Sequence, residues 1–519
     1  MSRDVTLDLL AFTFLALCAC GGSAANNGSD PDATTGAADT DEPGSGDGST
    51  RGEDSEGDSG SGSDPDAPDV PEARDGSRLR IEWFEPDSGP AQVTGIFDTE
   101  LGIPCAFRVA ADKVLRCLPT TDAKGLHFDA ATGDAIPVRA VTEACMPSYL
   151  VDHDAATNLD CEARGWVVFE PGEFRTEVCS GISGGSCIST SGPDGDAPPG
   201  SGYLFLGDPV DPATFVAGDI TTPAGDTRLR HRFLEAEDGA RIGWDVFDTE
   251  LEGPCAFGRT EAGELRCLPE APYEALAYLE AEDAWVPFEP GNTACPPDRI
   301  GRVESPSNYS CEEATQAVYG VGDDVDEVCT TTTNGACSSW RVLGEDAPAG
   351  ATFFLAGEEL DPSAFVLGER GQADGDGRIV ATEVVTDDGF RVASGLMDTV
   401  LGEACSFSIA ADGVRRCLPQ TFSSGEHYDL RAMEWAPYRR GNGDCSPAFI
   451  VSPSAAERFS CELPRTEVYA VGSTAEQVCI ASAVPGGCSS WLSPSDEAPA
   501  GAALYLAGDV VDPGEFVGG

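Results

Sequence analysis

Hydrophobic and polar residues alternate with a period of two along residues 78–519. The clearest stretch runs from Arg228 to Glu235 and resumes from Arg241 to Asp248. Between the two runs lies Glu237-Asp238-Gly239, and an Asp-Gly pair favours a tight hairpin because glycine accepts a positive φ. No window carries a long amphipathic helix. The pattern therefore predicts an all-β fold built from antiparallel strands.

A second hairpin is predicted between Cys105 and Cys117, which are equidistant from Ala111. A turn centred on Ala111 places the two cysteines directly opposite each other on adjacent strands. Opposed residues of a non-hydrogen-bonded pair have Cα atoms about 4.5 Å apart, which is within disulfide range. We therefore expect a Cys105–Cys117 bond.

Six cysteines occur three times with nearly constant spacing. The gaps are 12, 28, 16, 18 and 8 residues in the first two copies, and the last gap is 9 in the third. Such a register indicates disulfides in an oxidising compartment. The cysteines are Cys105, Cys117, Cys145, Cys161, Cys179 and Cys187; Cys255, Cys267, Cys295, Cys311, Cys329 and Cys337; and Cys405, Cys417, Cys445, Cys461, Cys479 and Cys488.

The copies define repeat 1 (residues 78–216), repeat 2 (228–366) and repeat 3 (378–517). Each has the size of an ordinary domain. We predict three tandem, disulfide-stapled antiparallel β domains. The alternative is a single six-bladed β-propeller in which each repeat supplies two blades.

Six cysteines allow 15 pairings, so the pairing is an inference. The glycine-rich segment between Cys179 and Cys187 suits a small closed loop, which leaves Cys145 and Cys161 for each other. We expect the equivalent three bonds in each copy and none between copies. Each would contribute about 2–4 kcal/mol to stability.

The start of the chain carries an apolar run from Leu9 to Leu17, which is too short to cross a bilayer but suits a signal peptide. Leu17-Cys18-Ala19-Cys20-Gly21 resembles a bacterial lipobox. This implies a lipoprotein signal peptide over residues 1–19 and acylation of Cys20, whereas a plain secretory signal is the alternative. The predicted location is the outer membrane or cell surface, with the facing side, exterior or periplasm, left open.

Residues 20–77 form a Gly/Ser/Asp-rich linker that contains almost no large apolar residue. Such a segment is predicted to be a disordered tether. The whole chain has 90 acidic and 31 basic residues, a net charge of −59. Nucleic acid is therefore excluded as a partner, because phosphates would be repelled.

Candidate sites are judged by whether they recur in every copy. Asp98-Thr99, Asp248-Thr249 and Asp398-Thr399 recur, as do Arg116, Arg266 and Arg416 within Arg-Cys-Leu-Pro. They are interpreted either as three ligand sites or, preferably, as a turn-capping aspartate paired with an arginine.

Other candidate chemistry has weaker support. His127 and His427 are aligned, but repeat 2 has Ala277 there, so we predict no metal site and no catalytic residues. Gly181–Gly185 matches Gly-x-Ser-x-Gly only in repeat 1 and lacks a nucleophile-elbow context. Segments 193–197 and 374–377 resemble incomplete calcium loops, so calcium is a weak candidate and no other cofactor is expected.

The lipobox, the acidic linker and the unit Ala-Asp-Gly-x-x-Arg-Cys-Leu-Pro together resemble uncharacterised, cysteine-rich, repeat-containing lipoproteins of gliding and predatory Gram-negative bacteria. The resemblance implies a membrane-anchored location and no known activity. We expect an array that binds an unidentified extracellular or envelope ligand, since several weak sites on one tether raise avidity. The alternatives are an extracellular hydrolase acting on polysaccharide or peptide, and a purely structural spacer.

Overall fold

The computed structural model is all-β over the residues that it describes. These are residues 73–123, 126–128, 135–153, 159, 161, 164–183, 186–193, 197–281, 283–304, 309–333, 335–344, 347–372, 375, 377–454, 463–481, 487–495 and 498–519. Within them the helical segments are short 3-10 turns: Glu143–Cys145, Pro212–Thr214, Pro362–Ala364, Gly443–Cys445 and Pro513–Glu515. The predicted all-β class is confirmed. The predicted signal peptide, Cys20 and the linker up to residue 72 lie outside the described residues.

The first sheet of each repeat is an antiparallel meander. In repeat 1 it contains β1 (Leu79–Phe84), β2 (Gln92–Asp98), β3 (Ile103–Val109) and β4 (Leu115–Pro119). In repeat 2 it contains β13 (Leu229–Ala236), β14 (Arg241–Asp248), β15 (Gly253–Arg259) and β16 (Leu265–Pro269), with β12 (Gly218–Thr221) from the preceding junction at its edge. In repeat 3 it contains β25 (Ile379–Thr386), β26 (Arg391–Asp398), β27 (Glu403–Ile409) and β28 (Arg415–Pro419), with β24 (Gly368–Gln372) from the preceding junction at its edge.

The second sheet of each repeat has five main strands and an adjoining hairpin. Repeat 1 has β5 (Leu126–Phe128), β6 (Ala135–Thr142), β7 (Leu150–His153), β8 (Trp166–Arg175), the hairpin β9 (Val178–Ser183) and β10 (Ser186–Ser191), and β11 (Ser201–Pro209). Repeat 2 has β17 (Ala275–Leu279), β18 (Ala284–Asn292), β19 (Ile300–Glu304), β20 (Thr315–Val325), the hairpin β21 (Glu327–Thr333) and β22 (Ala336–Val342), and β23 (Ala351–Glu359). Repeat 3 has β29 (Gly425–Asp429), β30 (Glu434–Asn442), β31 (Phe449–Pro453), β32 (Thr466–Ala475), the hairpin β33 (Val478–Ala481) and β34 (Ser490–Leu492), and β35 (Ala502–Val510).

The two sheets of a repeat share a core. In repeat 1, Leu118 of the first sheet packs with Val151 and Val168 of the second, and Phe215 completes the cluster. A single parallel bridge between Ala110 and Trp166 joins the sheets. Repeat 3 repeats the arrangement with Leu418, Val451, Val468 and Phe516.

The repeats contact one another in a closed circle. Asp238 of repeat 2 accepts hydrogen bonds from the backbone N–H groups of Arg78 and Leu79 in repeat 1, at 2.8 and 2.7 Å. Asp388 of repeat 3 accepts one from the backbone N–H of Arg228 in repeat 2, at 3.1 Å. At the equivalent position in repeat 1, Ser88 accepts one from the backbone N–H of Arg378 in repeat 3, at 2.8 Å. Each repeat thus touches both of the others.

Hydrophobic cores also cross between repeats. Leu79 and Ile96 of repeat 1 lie in one cluster with Leu234 and Ala236 of repeat 2. Val246 of repeat 2 lies in one cluster with Phe390 of repeat 3. The circle closes where the ring of Phe84 packs on that of Phe407, with centroids 4.6 Å apart. Each repeat therefore relies on its neighbours to bury part of its apolar surface.

The chain leaving one repeat adds an edge strand to the next. β12 pairs with β13, and β24 pairs with β25. At the C-terminus, the carbonyl of Gly518 accepts a hydrogen bond of 2.7 Å from the N–H of Asp87. A Cβ at Gly218 would come within 2.8 Å of Phe107, and one at Gly368 within 2.6 Å of Phe257. Glycine occurs at both positions because the edge strand passes directly over an aromatic ring.

The predicted short-range disulfides are confirmed. Bonds join Cys105–Cys117, Cys255–Cys267 and Cys405–Cys417, and also Cys179–Cys187, Cys329–Cys337 and Cys479–Cys488. The predicted pairing was wrong by two residues, since Cys105 lies opposite Pro119 and Cys117 lies opposite Phe107. Lys113 adopts a φ of 64°, which adds a residue to the turn and moves its centre from Ala111 to Asp112.

The remaining pairing was predicted wrongly, because bonds form between repeats. Cys161 of repeat 1 bonds Cys295 of repeat 2, and Cys311 of repeat 2 bonds Cys445 of repeat 3. The expected bonds Cys145–Cys161, Cys295–Cys311 and Cys445–Cys461 are therefore excluded. The loop that holds Cys161 lies against the next repeat, where the Asn292 side-chain amide donates to the carbonyl of Leu159 at 2.8 Å.

Candidate functional site

Buried carboxylates hold the start of each repeat. Asp98 is fully buried at the end of β2, and the Arg78 guanidinium donates to both of its oxygens at 2.7–3.0 Å. The same carboxylate caps the following turn by accepting from the N–H groups of Glu100 and Leu101. Every acceptor site of the aspartate is thus used within the fold.

The same arrangement recurs with Arg228 and Asp248, and with Arg378 and Asp398. The preferred interpretation of the Asp-Thr motif, a turn cap with an arginine partner, matches these contacts. The partner, however, is the arginine that opens the repeat and not the one in Arg-Cys-Leu-Pro.

That second arginine anchors the end of its repeat. Arg116 donates to the carbonyl of Phe215 at 2.8 Å and pairs with Asp112. The equivalent donors are Arg266 to Phe365 and Arg416 to Phe516. Asp211 caps the short turn before Phe215 by accepting from the N–H of Ala213. The motifs shared by all three repeats therefore build the fold.

The histidines lie apart from one another. His427 is buried in β29, and burial lowers its pKa. His153 stacks on Trp166, with ring centroids 3.6 Å apart, and His231 hydrogen-bonds the carbonyl of Arg391. Within the described residues, no three His, Cys, Asp or Glu side chains gather as metal ligands would. The His127 side chain, residues 184–185 of the Gly-x-Ser-x-Gly match, residues 194–196 and residues 373–374 and 376 lie outside that description.

An apolar cavity of about 110 Å³ lies between the two sheets of repeat 1, lined by Leu118, Trp166, Val168 and Val210 among others. Ligand pockets usually hold about 300–1,000 Å³. This space is therefore a packing gap and not a substrate pocket.

Two exposed tryptophans, Trp285 and Trp340, lie on either side of the buried Tyr278 on the second sheet of repeat 2 and its adjoining hairpin. Trp285 lies directly opposite Tyr278, and their ring centroids are 5.4 Å apart. Trp340 lies directly opposite Cys329 on the adjoining hairpin. Directly opposed residues of antiparallel strands share a face. We name Trp285, Tyr278 and Trp340 the repeat 2 row.

Repeat 3 has the same row. Trp435 lies opposite Tyr428, with centroids again 5.4 Å apart, and Trp491 lies opposite Cys479. We name Trp435, Tyr428 and Trp491 the repeat 3 row. The four tryptophans remain 41–51% exposed.

Repeat 1 has no tryptophan in the corresponding row. Its strands carry Ala135 opposite Phe128 and Thr190 opposite Cys179. Phe128 in turn lies opposite Cys179, which shows how the hairpin continues the sheet at this position. Repeat 1 therefore has the same strand pairing without the two tryptophans.

The core side of these strands explains why the row faces outward. Ala277, Phe288 and Val328 alternate with the row and lie in one buried cluster. Arg341, next to Trp340, points to that cluster, with its guanidinium 5.8 Å from the ring centroid of Phe353. The period-two pattern thus leaves the row on the opposite face.

Acceptor groups border the repeat 2 row. The Tyr278 hydroxyl donates to Asp283 at 2.5 Å, and this hydrogen bond raises the pKa of Tyr278. One oxygen of Glu280 accepts from the N–H of Cys337 at 2.9 Å. The row is therefore uncharged and flanked by carboxylates.

Residues 59–288 are similar to a family of unknown function, DUF7481. The match covers repeat 1, the first sheet of repeat 2, and Tyr278 and Trp285 of the repeat 2 row. No curated protein and no solved structure matches the chain. In the described residues no helix is long and apolar enough to span a membrane.

The sequence analysis missed the aromatic rows because it required a site to recur in every repeat. A signal was present, since Tyr278 and Trp285 have the same spacing as Tyr428 and Trp435. Trp340 and Trp491 each lie three residues after the last cysteine of their repeat. Exposed aromatic positions shared by two copies are not explained by packing.

Proposed function

We propose that this chain is a cell-envelope lipoprotein that presents its ring of repeats for extracellular binding or adhesion. The lipobox-like segment ending at Cys20 supports an anchor, and the acidic linker supports a spacer between anchor and ring. The eight cysteine pairs whose two partners both lie among the described residues support an oxidising location, where structural disulfides persist.

The observation that carries the binding proposal is the pair of exposed aromatic rows. Leaving four half-exposed tryptophans in water forgoes the hydrophobic stabilisation that burial would give. Large exposed apolar patches on folded proteins mark interaction sites, and here exposed tryptophans recur at matching positions of two repeats. The rows are also absent from repeat 1, so the fold itself does not require them.

Binding is tested on arrays of glycans and extracellular proteins probed with the exported full chain. The comparison variant carries Trp285→Ala, Trp340→Ala, Trp435→Ala and Trp491→Ala together. We expect the variant to lose the ligands that the natural chain captures, while the matched control Thr190→Ala in repeat 1 keeps them. Capture that survives in the fourfold variant would contradict a role for the rows.

The anchor is tested by changing Cys20 to Ser. We expect the mature chain to begin at Cys20, to be acylated there and to fractionate with the outer membrane. Cys20→Ser should abolish acylation and give a soluble or uncleaved product, whereas Cys18→Ser should leave the anchor intact. Unchanged membrane association of Cys20→Ser would contradict the lipoprotein assignment.

A further inference from the structure

We propose that the repeat 2 and repeat 3 rows bind uncharged polysaccharide by stacking sugar rings on tryptophan. This inference rests on the proposed binding function and names its ligand class. A pyranose ring presents a face of C–H bonds, which is apolar and slightly positive. Such a face fits the negative π surface of an exposed indole.

The shape of each row fits a chain of rings. Trp285, Tyr278, Cys329 and Trp340 occupy four neighbouring strand positions, taking the repeat 1 pairing of Phe128 with Cys179 as the pattern. Three steps of about 4.8 Å separate the two tryptophans by about 14 Å. Tyr278 and Cys329 lie between them and are buried, so an extended oligosaccharide would span the row by stacking on the two exposed tryptophans.

The negative charge of the molecule favours an uncharged ligand over a polyanion. The net charge of −59 repels polyanions, including nucleic acids, whose bases also stack on aromatic rings. Glu280 and Asp283 beside the row accept hydrogen bonds, which suits the hydroxyl groups of sugars. A neutral sugar can stack on the tryptophans and donate hydrogen bonds to the carboxylates without electrostatic repulsion.

The occurrence of the row in two repeats of one ring adds avidity. Asn442 of repeat 3 donates to the carbonyl of Tyr309 in repeat 2 at 3.1 Å, next to the Cys311–Cys445 bond. The two rows are therefore held in covalently linked repeats, and a long polymer engages the second row at high effective concentration. A short oligosaccharide fills one row and binds more weakly.

The experiment titrates the exported full chain with uncharged hexasaccharides of β-linked glucose, β-linked N-acetylglucosamine and α-linked glucose. Polygalacturonate serves as the charged contrast. Calorimetry measures affinity, and tryptophan fluorescence reports contact with the rows. We expect at least one uncharged sugar to bind with a fluorescence change and with little dependence on salt. Trp285→Ala with Trp340→Ala should weaken polymer binding at least about tenfold, and Thr190→Ala should leave it unchanged.

Trp340→Phe provides a variant with less structural disturbance, and it should retain part of the affinity while changing the fluorescence response. Absence of binding to every uncharged sugar overturns the inference, as does binding that survives loss of all four tryptophans. Salt-sensitive binding to polygalacturonate alone also overturns it. Capture of a protein ligand through the same tryptophans would overturn the polysaccharide inference and leave the proposed binding function standing.

Discussion

The carboxylate of Asp248 is fully buried and receives the guanidinium of Arg228 along two edges. Removing its charge leaves the arginine without its partner, which is costly in a buried site. We expect Asp248→Asn to lower the free energy of unfolding by about 2–3 kcal/mol, measured by denaturant titration.

Glu250 provides the matched control for that substitution. It pairs with the same arginine, but its side chain is 68% exposed. Exposed ion pairs contribute about 0–1 kcal/mol. Glu250→Gln should therefore leave the denaturant midpoint almost unchanged, and an equal effect of both substitutions would contradict the assignment.

His427 makes stability depend on pH. Burial lowers its pKa, against the opposing charge of Asp429, so the unfolded chain binds a proton more readily than the folded one. The contribution of neutral His427 to the free energy of unfolding is fully present above the ordinary histidine pKa of about 6.5. It is lost as the pH falls below that value.

We expect the melting temperature of the natural chain to fall more between pH 7.5 and pH 5 than that of His427→Ala. Repeat 2 carries a buried alanine, Ala277, at the same position. A remaining slope is expected from His153, whose pKa burial also lowers. Equal slopes in the two proteins would contradict the role of His427.

The disulfides close loops of very different length, and we expect their contributions to stability to differ accordingly. The Cys161–Cys295 bond spans 134 residues and Cys179–Cys187 spans 8. Loop-closure entropy assigns them about 5 and about 2.5 kcal/mol. We expect Cys161→Ser with Cys295→Ser to lower the melting temperature more than Cys179→Ser with Cys187→Ser.

Non-reducing peptide mapping of the exported protein tests the same assignment directly. It should recover Cys161 linked to Cys295 and Cys311 linked to Cys445. Recovery of Cys295 linked to Cys311 would restore pairing within repeats and remove the covalent link between them.

The strands and short-range bonds could be predicted because their signals are local. Alternation and the Asp-Gly turns depend on neighbouring residues, and Cys105 and Cys117 are joined by one hairpin. The register was missed because it depends on the backbone angle at Lys113. The bonds between repeats could not be predicted, since every copy offers Cys295 the same partners and only tertiary packing chooses among them.

In the whole molecule, the repeats depend on one another for folding because hydrophobic clusters cross between them. An isolated fragment 228–366 loses Phe390 from the cluster around Val246 and the partners of Cys295 and Cys311. We expect circular dichroism to show no cooperative melt of this fragment, in contrast to the full chain. A cooperative melt would favour independently folding domains.

We expect one more disulfide between repeats. Cys145 is disulfide-bonded. Cys161 reaches forward to Cys295 and Cys311 to Cys445, so the same step from Cys461 leads to Cys145. Cys461 lies outside the described residues, and we expect peptide mapping to find it linked to Cys145. A free thiol at Cys461 would contradict this expectation.

The backbone hydrogen bond between Asp87 and Gly518 has a consequence for where the chain could begin. Gly518 joins repeat 1 as Ala217 joins repeat 2, through backbone bonds to Asp87 and Glu237. Gly518 and the start of repeat 1 therefore meet at a junction equivalent to the one between repeats 1 and 2. A circular permutant opened within residues 222–227, with residue 519 joined to residue 78 by a copy of that junction, should keep the fold. Under the proposed anchoring, the linker of such a permutant would join the ring beside a different repeat, and the aromatic rows would be turned relative to the membrane.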